Sequence, residues 1–141
     1  MLEDWEGTRA MRIAGNAIGK ALGFHLEDIQ FGSCRLRMSL SDTVMNIVGR
    51  AHGGAIAALI DNAATIAAWA EKGLPEDAWG TTMSLTVNYL APGNAGDLTA
   101  IATSTRRGGG VIFLHVKVID TEDTPIAEAV VTYKLSRGRR G

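Results

Sequence analysis

The chain is poor in the residues that cross-link small proteins or bind metals. Its 141 residues include 1 cysteine, 3 prolines and 3 histidines. The single thiol, Cys34, cannot form an internal disulfide, and the sequence has no cysteine and histidine spacing typical of a zinc site. We therefore expect no disulfide framework and no bound metal, and we predict that Cys34 fills space in the core.

The sequence also has no excess of charge of either sign. Against 14 lysines and arginines stand 15 aspartates and glutamates, which leaves a net charge of -1, so nothing favours a nucleic acid or an anionic membrane as partner. The most apolar stretch, Ala55 to Ala70, is shorter than a bilayer span of roughly 20 residues and contains Asp61. Met1 to Gly7 include acidic residues and no apolar signal region. We expect a cytoplasmic protein that does not insert into membranes.

The apolar content is high enough for one compact core. Hydrophobic residues make up 46% of the sequence, and we predict a single domain over residues 1–141. Apolar residues at helical spacing predict one helix from Thr8 to Leu22, within a helical extension over residues 1–23. At the other end, residues 137–141 form a short basic tail.

The rest of the chain predicts one helix and six strands. Alternating residues indicate two short strands in a hairpin, Phe24 to Phe31 and Cys34 to Leu40. A helix from about Gly54 to Lys72 is apolar on nearly every face, so other elements must surround it. Four alternating stretches then predict an antiparallel meander: Thr81 to Leu90, Asp97 to Arg106, Val111 to Asp120 and Ile126 to Leu135. This order indicates an α+β domain in which a curved sheet wraps around a long central helix.

Asp61 is the first candidate for chemistry. A carboxylate in an apolar helix costs desolvation free energy unless it is paired or used. One interpretation is a catalytic carboxylate. The alternative is a structural residue that a neighbouring hydroxyl or a subunit interface satisfies.

Two glycines at the start of the same helix suggest a partner for this carboxylate. Gly53 and Gly54 leave main-chain N–H groups open at the positive end of the helix dipole, where they can stabilise a developing oxyanion. Alternatively, they only permit a tight turn. About 12 Å of helix separates Gly53 from Asp61. Two helices packed antiparallel about a twofold axis would bring Gly53 of one chain to Asp61 of the other, which predicts a homodimer with shared sites.

His52 and Asn46 are the other polar candidates. His52 can act as a general base near neutral pH, but we expect its ring to bond the loop backbone and to direct the Gly53 N–H. Asn46 can hold a carbonyl or a water, or it can cap its own loop in an Asx turn. The sequence has no nucleophile elbow, zinc-protease motif or phosphate-binding loop.

The spacing N-x-x-G-x-x-H-G-G followed by a helical Asp resembles the PaaI-like (phenylacetic acid degradation) branch of hotdog-fold acyl-CoA thioesterases. Here these residues are Asn46 to Gly54 and Asp61, and Val87 to Pro92 is similar to that family's strand ending in a Y-x-x-P turn. The resemblance implies the hotdog fold, with dimers joined edge to edge and often paired again as homotetramers. It also implies a hydrolase that needs no cofactor, because the CoA thioester is the substrate.

The resemblance further implies a role for each motif residue. The Gly53 N–H would polarise the thioester carbonyl, and Asn46 would place the carbonyl or a water. Asp61 from the partner chain would act as nucleophile or general base. Thr82 matches the family's water-orienting Ser or Thr, with Thr81 as the alternative. The alternation places Thr82 on a polar strand face with Ser84, Thr86 and Asn88.

The expected substrate is an aromatic or short- to medium-chain acyl-CoA. Gly54 would contact it, and three arginines are candidates for its phosphates: Arg50, Arg106 and Arg107. Two other functions stay open. One is a hotdog-fold enoyl-CoA hydratase or dehydratase that depends on His52, and the other is a noncatalytic acyl-CoA binding protein. Release of free CoA thiol separates hydrolysis from both.

Overall fold

The computed structural model describes residues 1–138. Six strands form one sheet with the order β1-β2-β4-β5-β6-β3, in which every neighbouring pair is antiparallel. The strands are β1 (Phe24–Gln30), β2 (Ser33–Met38), β3 (Trp79–Tyr89), β4 (Leu98–Gly108), β5 (Val111–Ile119) and β6 (Pro125–Ser136). The helices are α1 (Arg9–Ala14), α2 (Ala17–Leu22) and α3 (Gly53–Trp69). The predicted α+β architecture with one long central helix is confirmed.

The core lies between α3 and one face of the sheet. In the middle of β5 the residues alternate, with Ile112, Leu114 and Val116 buried and the residues between them exposed. From the helix side Leu59 and Ile60 are fully buried, and burial of each such side chain stabilises the fold by about 1.5–3 kcal/mol. Within residues 1–138, no helix is long and apolar enough to cross a membrane.

The four C-terminal strands do not form the predicted meander. Strands β4, β5 and β6 are consecutive neighbours, but β3 pairs with β6 at the far edge, and β4 pairs with β2 instead. The reason is the position of α3 in the sequence. It follows the β1-β2 hairpin and contacts all six strands, so it carries the chain across the sheet before β3 begins. Strand β3 is therefore an edge strand within the described part of the chain.

The N-terminal extension forms two short helices after a 3-10 helix at Leu2–Trp5, so the prediction of one helix is wrong. The break occurs because Asn16 caps α2: its Oδ1 accepts a hydrogen bond from the Gly19 N–H at 2.9 Å. Thr8 caps α1 in the same way, as side-chain oxygens commonly do at helix starts. The Asn16 Nδ2 also donates to Asn62 Oδ1 at 3.0 Å, which ties the extension to α3.

Cys34 is a buried thiol in β2, with 4% of its surface exposed. Its Sγ donates to the Ala63 carbonyl at 3.2 Å, and burial raises the pKa of the thiol to about 12. The thiol is therefore protonated and unreactive near neutral pH. We expect the folded protein not to react with a chromogenic disulfide reagent and the unfolded chain to react fully. Rapid labelling without denaturant would contradict this assignment.

Candidate active site

The loop before α3 is held by main-chain hydrogen bonds. The His52 N–H donates to the Val44 carbonyl at 2.7 Å, and the Ala51 N–H donates to the Gly93 carbonyl at 2.8 Å. His52 is the N-cap of α3, with φ -64° and ψ 133°. Its Nδ1 accepts a hydrogen bond from the Gly54 N–H at 2.8 Å. Of the two ring nitrogens, only Nε2 is therefore open to another partner.

Gly53 and Gly54 differ in what their N–H groups can do. The Gly54 N–H is used by His52, so it is not the free main-chain donor that the sequence suggested. The Gly53 N–H is in the first helical position, which has no acceptor within the helix, and it makes no hydrogen bond within residues 1–138. Gly53 lines a cleft of about 380 Å³, together with Asn46, Arg50, Ile56, Tyr89 and Leu90.

Asn46 folds the loop around its own side chain. Its Oδ1 accepts hydrogen bonds from the Val48 N–H at 3.1 Å and the Arg50 N–H at 3.0 Å, and its main-chain N–H donates to the Arg50 carbonyl at 2.7 Å. This is the Asx-type capping that the sequence left open. The side-chain Nδ2 has no partner within the described chain, so Asn46 can still act as a donor at the cleft.

Asp61 lies on a stripe of α3 that the sheet leaves partly exposed, together with Ala57, Ala58 and Thr65. Its Oδ1 accepts a hydrogen bond from the Thr82 hydroxyl at 2.7 Å. No lysine, arginine or histidine within residues 1–138 forms an ion pair with it, and its Oδ2 accepts no hydrogen bond there. The carboxylate is thus oriented by one hydroxyl and keeps one oxygen available.

A β-bulge at Met83 places Thr82 beside Asp61. In the pairing of β3 with β6, Thr82 is opposite Tyr133 and Ser84 is opposite Thr132, so Met83 is an extra residue. One extra residue reverses which side the following residues face. Thr82 therefore points toward α3, and its predicted place on the polar face is wrong. The residues grouped with it, Ser84, Thr86 and Asn88, are exposed.

The hydrogen bond to Asp61 predicts different effects for two adjacent threonines. We expect Thr82→Val to lower the rate of thioester hydrolysis about tenfold, because the carboxylate loses the one orienting partner that it has within residues 1–138. Thr81→Val is the matched control, since Thr81 is exposed and its side chain makes no hydrogen bond in the part of the chain that the structure describes. Steady-state kinetics of both variants test this. Equal rates for the two would remove Thr82 from the site.

The three arginines proposed for the CoA phosphates do not form one group, because Arg50 precedes α3 whereas Arg106 and Arg107 are consecutive residues of β4. Arg50 lines the cleft beside Gly53, and Arg106 is exposed on β4. Arg107 donates to the Ala68 carbonyl at 2.9 Å and to Glu71 at 3.3 Å, so it caps the opposite end of α3. Its guanidinium is thereby engaged, whereas the other two remain candidates for the phosphates.

The predicted basic tail starts with an ion pair. Arg137 contacts Glu71 at 2.7 Å, and this hydrogen bond is the main reason that the pKa of Glu71 is lowered. Residues 139–141 of the tail lie outside the described residues. Elsewhere in residues 1–138, no three His, Cys, Asp or Glu side chains are grouped as a metal site requires.

The structure divides the candidates into two groups that do not meet in one chain. Asn46, His52 and Gly53 surround the start of α3, whereas Asp61 and Thr82 lie about 12 Å further along the helix. The sequence did not assign a role to Tyr89, whose hydroxyl donates to the Gly53 carbonyl at 2.7 Å. No sequence pattern reveals such a bond, because its acceptor is a main-chain group.

Comparison with known sequences places the chain in a family. The model of the thioesterase superfamily matches residues 48–127, which include the start of α3, Asp61 and Thr82. A candidate esterase of Halobacterium salinarum is 36% identical over 110 residues, which cover 76% of this chain and 72% of that protein.

Solved structures share the fold. The PaaI protein from the phenylacetic acid degradation operon of Escherichia coli has a TM-score of 0.77 at 22% identity and covers 94% of both chains. A hypothetical thioesterase of Streptococcus pneumoniae, solved with coenzyme A, has a TM-score of 0.78 at 20% identity, covering 93% of this chain and 98% of that one. The chain therefore belongs to the thioesterase superfamily, as a thioester hydrolase with the hotdog fold of the PaaI-like proteins.

Proposed function

We propose that the protein hydrolyses an aromatic or short- to medium-chain acyl-CoA to the free acid and CoA. The observation that carries this proposal is the environment of Asp61, a carboxylate on the partly exposed stripe of the central helix with one hydroxyl partner and no cationic partner within residues 1–138. A carboxylate that served only as a structural ion pair would have a cationic partner. The coenzyme A bound to the Streptococcus pneumoniae relative supports a CoA thioester as the substrate class.

A second copy of the chain would complete the site. Strand β3 is an edge strand with exposed apolar side chains, among them Trp79 and Met83, and such an edge is suited to pairing with another strand. Antiparallel pairing of β3 with its copy would extend the sheet across a twofold axis. The two α3 helices would then run antiparallel, with Gly53 of each near Asp61 of the other. Pairing of two such dimers would give the homotetramer that the family resemblance implies.

The first step of the reaction would be capture of the thioester carbonyl. The Gly53 N–H, with the helix dipole behind it, and the Asn46 Nδ2 would donate hydrogen bonds to the carbonyl oxygen. These donors gain strength as negative charge develops on that oxygen, so they would stabilise the transition state more than the bound substrate. The donors are fixed before the substrate arrives, because the loop is already hydrogen-bonded.

Asp61 can then act by either of two routes. As a general base it takes a proton from water, the hydroxide adds to the carbonyl carbon, and the C–S bond breaks to release the CoA thiolate. As a nucleophile its free oxygen attacks the same carbon, expels the thiolate and leaves an anhydride that water hydrolyses. In both routes Thr82 holds Oδ1 and leaves Oδ2 to react. Neither route uses a metal ion or a redox cofactor.

The test is release of CoA thiol from a panel of aromatic and aliphatic acyl-CoAs. We expect the wild-type protein to release thiol from at least one class and to rank the others by acyl size. Hydration of an enoyl-CoA without thiol release would favour the hydratase. Binding of acyl-CoA by folded protein without any turnover would favour the noncatalytic alternative. Either result would overturn the proposal.

A further inference from the structure

The peptide unit that joins Gly53 to Gly54 is held at both ends. Its carbonyl accepts a hydrogen bond from the Tyr89 hydroxyl at 2.7 Å, and its N–H donates to His52 Nδ1 at 2.8 Å. A Gly-Gly link has more conformational freedom than any other dipeptide, so it does not fix its own geometry. Both glycines lie in the first turn of α3, and two side chains from different parts of the sequence add to the constraint that the helix supplies.

The Tyr89 ring also lies against Gly53. A Cβ atom at Gly53 would be 3.6 Å from the ring and from its hydroxyl, so the phenol is in contact distance of the first residue of α3. Tyr89 ends β3, and the next residue is anchored to β6 by a hydrogen bond from the Leu90 N–H to the Ile126 carbonyl at 2.8 Å. The ring therefore projects from a fixed strand end, and 53% of the surface of Tyr89 is exposed.

We propose that Tyr89 is a positioning residue for the Gly53 N–H, an inference that rests on the proposed role of that group as the oxyanion donor. The Tyr89 bond sets the direction of the Gly53 carbonyl, which belongs to the peptide unit after Gly53, and the ring lies against the same residue. The peptide unit that carries the Gly53 N–H is held at its other end, because the His52 carbonyl accepts a hydrogen bond from the Ile56 N–H at 3.0 Å. Gly53 is thus held on both sides, and Tyr89 supplies one of the two restraints that keep its N–H in one direction. Donors whose direction is fixed in advance stabilise a transition state without reorganising.

Tyr89→Phe separates the hydroxyl from the ring. We expect kcat to fall about tenfold, less than the roughly 10²- to 10³-fold cost of losing an oxyanion donor outright, with KM changed by less than about twofold. Thr105→Val is the matched control, because it also removes a hydroxyl that donates to a main-chain carbonyl, that of Phe113 at 3.2 Å. Thr105 is exposed on β4, which pairs with β2 and β5 rather than with β3, and its loss should leave kcat unchanged.

A spectroscopic measurement reports on the donor itself. In the Asp61→Asn background, benzoyl-CoA labelled with ¹³C at the carbonyl can be bound without hydrolysis. Isotope-edited infrared spectra then give the carbonyl stretching frequency, which falls when the oxygen accepts a hydrogen bond. We expect a clear downshift on binding, and a smaller downshift when Tyr89→Phe is added. A residue that only stabilised the fold would leave this frequency unchanged.

The possible results distinguish a failure of the proposed role of Tyr89 from a failure of the proposed thioesterase function. If the wild type released no CoA thiol, the proposed function would fail, and the positioning role with it. If the wild type is active and Asp61→Asn is not, three results would overturn the role of Tyr89 alone. These are an unchanged kcat and carbonyl frequency in Tyr89→Phe, a change confined to KM, or an equal loss of kcat in Thr105→Val.

Discussion

Replacing Asp61 by asparagine is expected to lower kcat for CoA release by about 10²- to 10⁴-fold, the range that a catalytic acid or base supplies. The amide matches the carboxylate in size, and its oxygen can still accept the Thr82 hydroxyl. It can neither attack a carbonyl nor remove a proton from water. Because the change removes reactivity and little else, affinity for an acyl-CoA should stay close to that of the wild type.

Two measurements check this expectation. Titration calorimetry with a non-hydrolysable CoA thioether gives binding, and thiol release gives turnover. Glu128→Gln is the control, because Glu128 is an exposed carboxylate on the outer face of β6, opposite Lys117. The Glu128→Gln variant should release CoA thiol at the wild-type rate. If Asp61→Asn kept more than about a tenth of the wild-type rate, Asp61 would be structural rather than catalytic.

Gly53→Pro should lower kcat by about 10²- to 10³-fold, because proline has no N–H to donate to the oxyanion. Proline is well tolerated in the first position of a helix. The preceding residue, His52, already has the extended backbone that proline requires, with φ -64° and ψ 133°. The helix should therefore form normally, and the melting temperature should change little.

Gly53→Ala distinguishes a missing donor from a blocked cleft. Alanine keeps the N–H, and its Cβ would make an ordinary contact with Tyr89 at 3.6 Å. We expect a much smaller loss of kcat than for Gly53→Pro. Equal losses in the two variants would mean that bulk at this position, and not the N–H, matters for catalysis.

The sequence predicted the elements of the fold better than their arrangement. Strand and helix patterns are local, and α3 and all six strands are where apolar periodicity placed them to within a few residues. Strand order depends on which elements meet after the chain has crossed the sheet, and periodicity has no information on that. The position of β3 at the edge was therefore missed, although this edge is where a second subunit would pair.

The motif residues could be predicted because they lie within one short segment. Asn46, His52 and Gly53 belong to a single loop-to-helix junction, so their spacing alone brings them together. Thr82 and Tyr89 depend on longer-range geometry. Thr82 reaches Asp61 only through the bulge at Met83, which the alternation of β3 does not reveal.

The contact of Tyr89 with Gly53 could not be predicted by looking for complementary side chains in the sequence. Tyr89 is 36 residues from Gly53 in the sequence, and its acceptor is a main-chain carbonyl, a group that every residue has. The break in the N-terminal helix has a similar cause. Asn16 is compatible with a helix interior by spacing, and only its bond to the Gly19 N–H makes it a cap.

We propose that each active site takes Gly53 from one chain and Asp61 from the other. Chains carrying Asp61→Asn and chains carrying Gly53→Pro, each with a different affinity tag, can be co-expressed and the mixed dimers isolated with both tags. Each mixed dimer would hold one intact site and one doubly defective site. We predict that the mixed dimer releases CoA at about half of the wild-type rate per dimer, although the homodimer of each variant is inactive. A mixed dimer that is no more active than the homodimers of the two variants would contradict the shared site.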